Sequence, residues 1–242
     1  MPRERETAMK TSAAIPVTTV PRAPGHVRLQ GSVLSAVEKR ALVWMATRMP
    51  AWVNSDHLSA LGLVSMAGVG ASFWLAGTAP RVGLPLVVVC LFLNWFGDSL
   101  DGTLARVRNK LRPRYGFYVD HVIDVAGTSF MMAGLGASGL MDVRLALVVL
   151  AAWLAVSAES FLATHARGVF RMSFLWFGPT ELRMVIAAGA LWAMSGGHVT
   201  VFGMGPYRLF DIGAVGASVG LAAAFVVNAV RNGVTLYREE TL

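Results

Sequence analysis

Six long apolar stretches alternate with short polar breaks, at roughly 58–77, 82–100, 117–140, 143–162, 183–202 and 211–230. Each approaches the ~20 residues a helix needs to cross a hydrocarbon core. All six are rich in Ala, Gly, Val and Leu, and runs such as MMAGLGASG and GAVGASVG leave room for helices to pack closely in lipid. The pattern predicts an all-α, polytopic membrane protein, a bundle of six transmembrane helices over 51–242. Ahead of it, in 31–50, Val33, Leu34, Val37, Ala41, Val43 and Met45 recur near helical spacing, with Glu38, Lys39 and Arg40 on the other side. That stretch is short and broken by charge, which predicts an N-terminal amphipathic interfacial helix rather than a seventh span. Residues 1–30 have no apolar run and no cleavable signal pattern, and read as a mobile tail.

Composition agrees with the pattern: 55% of residues are hydrophobic, 14% are charged, and mean hydropathy is +0.57. Of the 21 Lys and Arg, only Arg81, Arg144 and Arg208 fall outside the N-terminal region, every second loop and the C-terminal tail. By the positive-inside rule both termini and the ARVRNKLRPR loop face the cytoplasm, which also requires an even number of spans. The formal net charge of +7 is thereby explained by membrane topology, so no nucleic acid partner is expected. Anionic membrane lipids suit the basic side of the 31–50 helix. The single cysteine, Cys90, lies mid-span and reads as a buried apolar thiol.

The acids change the picture. Asp98, Asp101, Asp120, Asp124 and Glu159 fall within or at the ends of apolar spans, where an ionisable group is costly and is usually functional or paired. Asp98 and Asp101 are three apart at the cytoplasmic end of the second span; Asp120 and Asp124 are four apart at the start of the third. Those spacings put each pair on one helix face, and the short loop makes the two helices antiparallel neighbours, so the carboxylates converge. Converging carboxylates require compensating cations. Oxygen-only donors select hard divalent ions, Mg²⁺, Mn²⁺ or Ca²⁺, and a pair of such ions is a recurring clamp for phosphoryl chemistry. The bland alternative is a structural charge cluster with Arg106, Arg108, Lys110, Arg112 and Arg114. Intramembrane acids also mark divalent-metal or proton transporters, but these four lie near one face and leave no acidic relay to the other.

Gly102 and Ala105 remove bulk from the helix face beside Asp101, Gly116 does so before Asp120, and Arg106 can take a phosphate bidentately. Together, Asp98, Asp101, Gly102, Ala105, Arg106, Gly116, Asp120 and Asp124 resemble the CDP-alcohol phosphotransferase (CDP-alcohol phosphatidyltransferase) signature D-x2-D-G-x2-A-R-x9-G-x3-D-x3-D. The resemblance implies a six-helix, homodimeric membrane enzyme of phospholipid biosynthesis, in a bacterial cytoplasmic membrane, that releases CMP from a CDP-linked donor and passes the substituted phosphate to an alcohol. It implies two divalent cations, Mg²⁺ or Mn²⁺, held by Asp98, Asp101, Asp120 and Asp124, with Asp124 also the base for the acceptor hydroxyl. Gly102, Ala105, Arg106 and Gly116 would shape or contact the CDP part. NSDHLSALG is similar to the family's entry motif, with Asp56, His57 and Ser59 where the cytidine pocket is lined. Ser59 replaces the usual Thr, and Asp56 or Ser59 would in any case serve as a helix cap. Pro113 stands where lipid-donor members carry Thr or Ser, and Arg112 or Arg114 is the replacement contact.

The donor is expected to be CDP-diacylglycerol. The alternative is a CDP-amino-alcohol such as CDP-choline or CDP-ethanolamine, because residues 157–183 are also similar to choline and ethanolamine phosphotransferases. Glu159, His165 and Glu181 form the candidate acceptor site, each with a plainer reading: a helix-to-helix hydrogen bond, a solvated histidine, and a first-turn acid after Pro179.

Overall fold

The computed structural model describes residues 33–167, 179–201 and 203–240. The expected 1–30 tail lies outside them. Helix α1 (Val33–Arg48) does not stand free: Leu42 and Ala46 are buried with Val53, Leu58, Leu100 and Leu104. Glu38 accepts a 2.8 Å hydrogen bond from Trp95 Nε1. The α1 to α2 linker is fixed by Arg108, which donates to the carbonyls of Met49 and Pro50 at 2.9 Å and to that of Val53.

Helices α2 (Ser55–Ala76), α3 (Pro80–Val107) and α4 (Pro113–Ala137) form the centre. Pro80 and Pro113 each begin a helix, where a missing N–H costs nothing. Val69, Phe73, Leu84 and Val87 are fully buried between them. Close approach depends on glycine: a Cβ on Gly134 would stand 1.9 Å from Gly70 O, and one on Gly97 would stand 2.6 Å from Leu58 O. Helix α5 (Val143–Arg167) packs on α4 and α7 (Leu209–Glu239), and α6 (Pro179–Ala193) packs on α3. Helix α7 keeps Val219, Val226, Val227 and Val230 exposed, an apolar exterior suited to lipid.

Helices α2, α3, α5 and α7 are long and apolar enough to span a membrane. Helix α4 has the length, but Asp120, His121 and Asp124 make its first half polar. Helix α6 has 15 described residues, a rise of about 22 Å against a core of about 30 Å. The expectation of a helix through residue 202 is corrected here. Helix α6 ends at Ala193, and Gly196 and Gly197 follow with φ of 124° and 64°, backbone that favours glycine. The β-branched residues after them form strand β1 (His198–Val201), paired antiparallel with β2 (Met204–Arg208). The fold is that of an all-α membrane protein carrying one small two-stranded hairpin.

The helices run up and down. Gly77, Pro80, Ser138, Gly139, Ala193 and Gly196 line one shared depression, which gathers the α2–α3 turn, the α4–α5 turn and the end of α6 at one end of the bundle. Asp98, Asp101 and Asp120 are at the other.

Candidate active site

The site is built where the N-terminus of α2 meets the C-terminus of α3 and the start of α4. A narrow cleft there is lined by Ser59, Gly62, Asp98, Asp101, Asp120 and Ile123. The depression at the far end is larger, but its lining carries one cation, Arg81, and no carboxylate, so the narrow cleft is the candidate site. Asn94, Asp98 and Asp101 recur at helical spacing and share one face of α3. That face turns to α2 because Gly97 lets the backbones meet.

Asp101 is anchored by α2. Ser59 Oγ donates to Asp101 Oδ2 at 2.6 Å, Ser55 Oγ donates to the Asp101 carbonyl at 2.9 Å, and Gly102 N–H donates to Asp101 Oδ1. Asp98 is held from α6: Arg183 Nη2 donates to its Oδ2 at 2.6 Å, while Arg183 Nε donates to Asn94 Oδ1 at 2.8 Å. Asn94 is 4% exposed and donates in turn to Gly62 O at 3.0 Å. Asp120 reaches the cleft from α4; Asp124, one turn further along, is half-buried and is not among the lining residues.

Three of the four expected aspartates thus share one cleft. Among the described residues no three His, Cys, Asp or Glu side chains close around a single point as ion ligands. The donor chemistry still fits a hard divalent cation, since every acid lining the cleft is a carboxylate and its neighbour Ser59 adds a hydroxyl.

The entry motif divides its labour differently from expectation. The cap of α2 is Asn54, not Asp56 or Ser59: Asn54 Oδ1 accepts from His57 N at 2.9 Å and Asn54 N donates to His57 Nδ1 at 3.4 Å. Here an amide and an imidazole fill the two places that Ser or Thr and Glu or Gln usually take in a capping box. Asp56 forms an ion pair with Arg112, whose guanidinium also lies 4.3 Å over the Tyr115 ring. Gly102 and Gly116 are open: an added Cβ meets only Arg106 Nη2 at 3.9 Å in the first case and nothing within 4 Å in the second. Ala105 is half-buried, and Arg106 is exposed with Nε donating to Gly102 O at 3.0 Å.

Glu159 takes part in a brace between α5 and α7. Asn232 Nδ2 donates to Glu159 Oε1 at 2.7 Å, and Arg167 Nη1 donates to Asn232 Oδ1 at 2.7 Å. His165 is exposed in the last turn of α5 and Glu181 is half-buried in the first turn of α6; residues 168–178 between them lie outside the described residues. Asn94 and Arg183 are the site residues that motif reading missed. For Asn94 a signal existed, since it precedes Asp98 by one helical turn.

A family model described as CDP-alcohol phosphatidyltransferase matches residues 57–230. Among solved structures, the chain is similar to Mycobacterium tuberculosis phosphatidylinositol phosphate synthase (PgsA1) with CDP-DAG bound. The TM-score is 0.51 at 20% sequence identity, over 84% of this chain and 94% of that one. No curated protein matches the chain.

Proposed function

The chain belongs to the CDP-alcohol phosphatidyltransferase family and is a transferase, and from that premise we propose that it moves phosphatidyl from CDP-diacylglycerol to an alcohol, releasing CMP. The observation that carries the reading is the cleft in which Asp98, Asp101 and Asp120 meet Ser59 under open glycine faces. The fold it shares with a CDP-DAG-bound synthase agrees with a lipid donor.

In this reading Asp98, Asp101, Asp120 and Asp124 hold two divalent cations, Mg²⁺ or Mn²⁺. When bound, such cations neutralise the donor pyrophosphate and the departing CMP. Ser59 and the Gly102 amide fix the Asp101 carboxylate in one orientation. Gly102 and Gly116 leave room for the nucleotide, with Arg106 and the Asp56–Arg112 pair at its edge. Asp124 takes the proton from the acceptor hydroxyl; the new O–P bond forms on the phosphorus bearing diacylglycerol as the pyrophosphate P–O bond to CMP breaks. The six-span count, the cytoplasmic site and a homodimer belong to the same proposal. So does the placing of α1 at the headgroup level, where exposed Trp44, Trp52 and Arg48 are suited to it.

The test uses purified protein with Mg²⁺ or Mn²⁺, CDP-diacylglycerol or CDP-ethanolamine, and a panel of alcohols. CMP release and the product lipid, by mass spectrometry, are the readouts. CMP formation that depends on divalent cation, stops with EDTA and yields a phosphatidyl lipid supports the proposal. No metal-dependent CMP from any pairing sinks it.

A further inference from the structure

Arg183, a cation held on the cleft's Asp98, is left unused by the reaction above. Its guanidinium is held at a fixed address: Nη2 on Asp98 Oδ2 at 2.6 Å, Nε on Asn94 Oδ1 at 2.8 Å, and Asn94 itself tied to Gly62 O at 3.0 Å. The chain of contacts crosses α6, α3 and α2. The side chains of Arg183 and Asp98 are only 16% and 29% exposed, so water screens the pair poorly.

The charge count then matters. In the two-cation reading, four carboxylates balance two divalent ions, and Arg183 leaves one positive charge over. The guanidinium and a cation would share the Asp98 carboxylate in a medium of reduced dielectric, where like charges repel strongly. The donor pyrophosphate brings the negative charge that removes this conflict. We propose that Arg183 couples the two ligands of the site: it opposes cation loading while the site lacks donor and favours it once the pyrophosphate is present. Cation and donor thus bind with positive cooperativity, and the carboxylates keep a protein counter-charge between turnovers.

A plainer role predicts the opposite sign. If Arg183 only orients Asp98, as outer-shell partners of metal ligands do, its loss weakens cation binding whether or not donor is present. The coupling role predicts that loss of its charge tightens binding of the cation alone.

The proposal rests on the two-cation reading, and the experiment separates the two. Mn²⁺ binding to the full-length protein in detergent is titrated by electron paramagnetic resonance, with and without CDP-diacylglycerol, for wild type, Arg183→Gln, Arg183→Lys and Asp98→Asn. Arg183→Gln removes the charge and retains hydrogen-bonding groups for Asn94. It is expected to bind Mn²⁺ alone about 10-fold more tightly than wild type, and to lose about 10-fold of the enhancement that donor brings. Arg183→Lys is expected to keep the wild-type order. Weaker or unchanged Mn²⁺ affinity in Arg183→Gln overturns the coupling, as does Arg183→Lys behaving like Arg183→Gln. Donor that fails to raise Mn²⁺ affinity in the wild type overturns it without any variant. If wild type binds no more Mn²⁺ than Asp98→Asn, the two-cation reading falls and the coupling falls with it.

Discussion

Gly97→Ala links helix packing to the site in one perturbation. A Cβ at this position would stand 2.6 Å from Leu58 O and 2.9 Å from Gly62 N, both backbone atoms of α2 that cannot rotate away. Ordinary contact begins near 3.4 Å, so α2 and α3 must separate locally by about 0.8 Å, and overpacking of this kind costs ~1–3 kcal/mol. The separation falls between three hydrogen bonds that join the same helices: Ser59 to Asp101 at 2.6 Å, Ser55 to Asp101 at 2.9 Å and Asn94 to Gly62 at 3.0 Å. Stretching the longest of these by about 0.8 Å takes it beyond hydrogen-bonding range. Asp101 and Asp98 then lose their fixed orientation, and a misplacement of about 1 Å at a reacting centre costs about 100-fold in rate. CMP release should fall by that order, and the thermal midpoint in detergent should drop by about 5 °C. Gly116→Ala is the control, because a Cβ there meets nothing within 4 Å and the midpoint should not move. Wild-type activity together with a wild-type midpoint in Gly97→Ala would refute the reasoning, since it would mean that the helices do not touch there.

Other substitutions test separate parts. Asp124→Asn should abolish CMP release while the protein folds and still binds some donor; wild-type rates would exclude Asp124 as the base. Glu159→Gln keeps the oxygen that accepts from Asn232, so both stability and turnover should stay within about 2-fold of wild type, whereas Asn232→Leu strands two polar partners and should lower stability by ~1–3 kcal/mol. A collapse of turnover in folded Glu159→Gln would instead give that charge a task with the acceptor. Arg108→Met removes the donor to three linker carbonyls and should speed proteolysis between α1 and α2 at little cost to the core; unchanged cleavage would show that the linker is held by other contacts.

What the sequence made legible follows from which forces act locally. Hydrophobic length located the apolar helices because lipid satisfies no backbone polar group, so each crossing must be a long apolar run. It did not find the break after Ala193, because the VTVF run at 199–202 stays apolar while the backbone has already turned to strand at His198–Val201. The SGGH sequence marked that change, and reading it as helix gave hydropathy precedence over two adjacent glycines. The acids were legible by spacing, since turns of three and four residues fix which side chains share a face. Their hydrogen-bond partners were not, because Ser59 and Asp101 are 42 residues apart and Arg183 and Asp98 are 85 apart.

The same distinction explains why the entry motif was only half understood. A cap is decided by which side chain can reach a backbone N–H three residues on, and Asn54 reaches His57 N while Asp56 does not need to. Asp56 is thereby released to meet Arg112 from the α3–α4 loop, and the cation that topology counting assigned to the cytoplasmic side becomes a tie to the first turn of α2. Arg183 went through the same change of meaning: as one of the basic residues facing the cytoplasm it looked like bookkeeping of orientation, yet its distance to Asp98 makes it part of the charge balance of the cleft. A basic residue at a helix start carries both meanings at once, and only the fold decides whether its partner is a headgroup or a carboxylate.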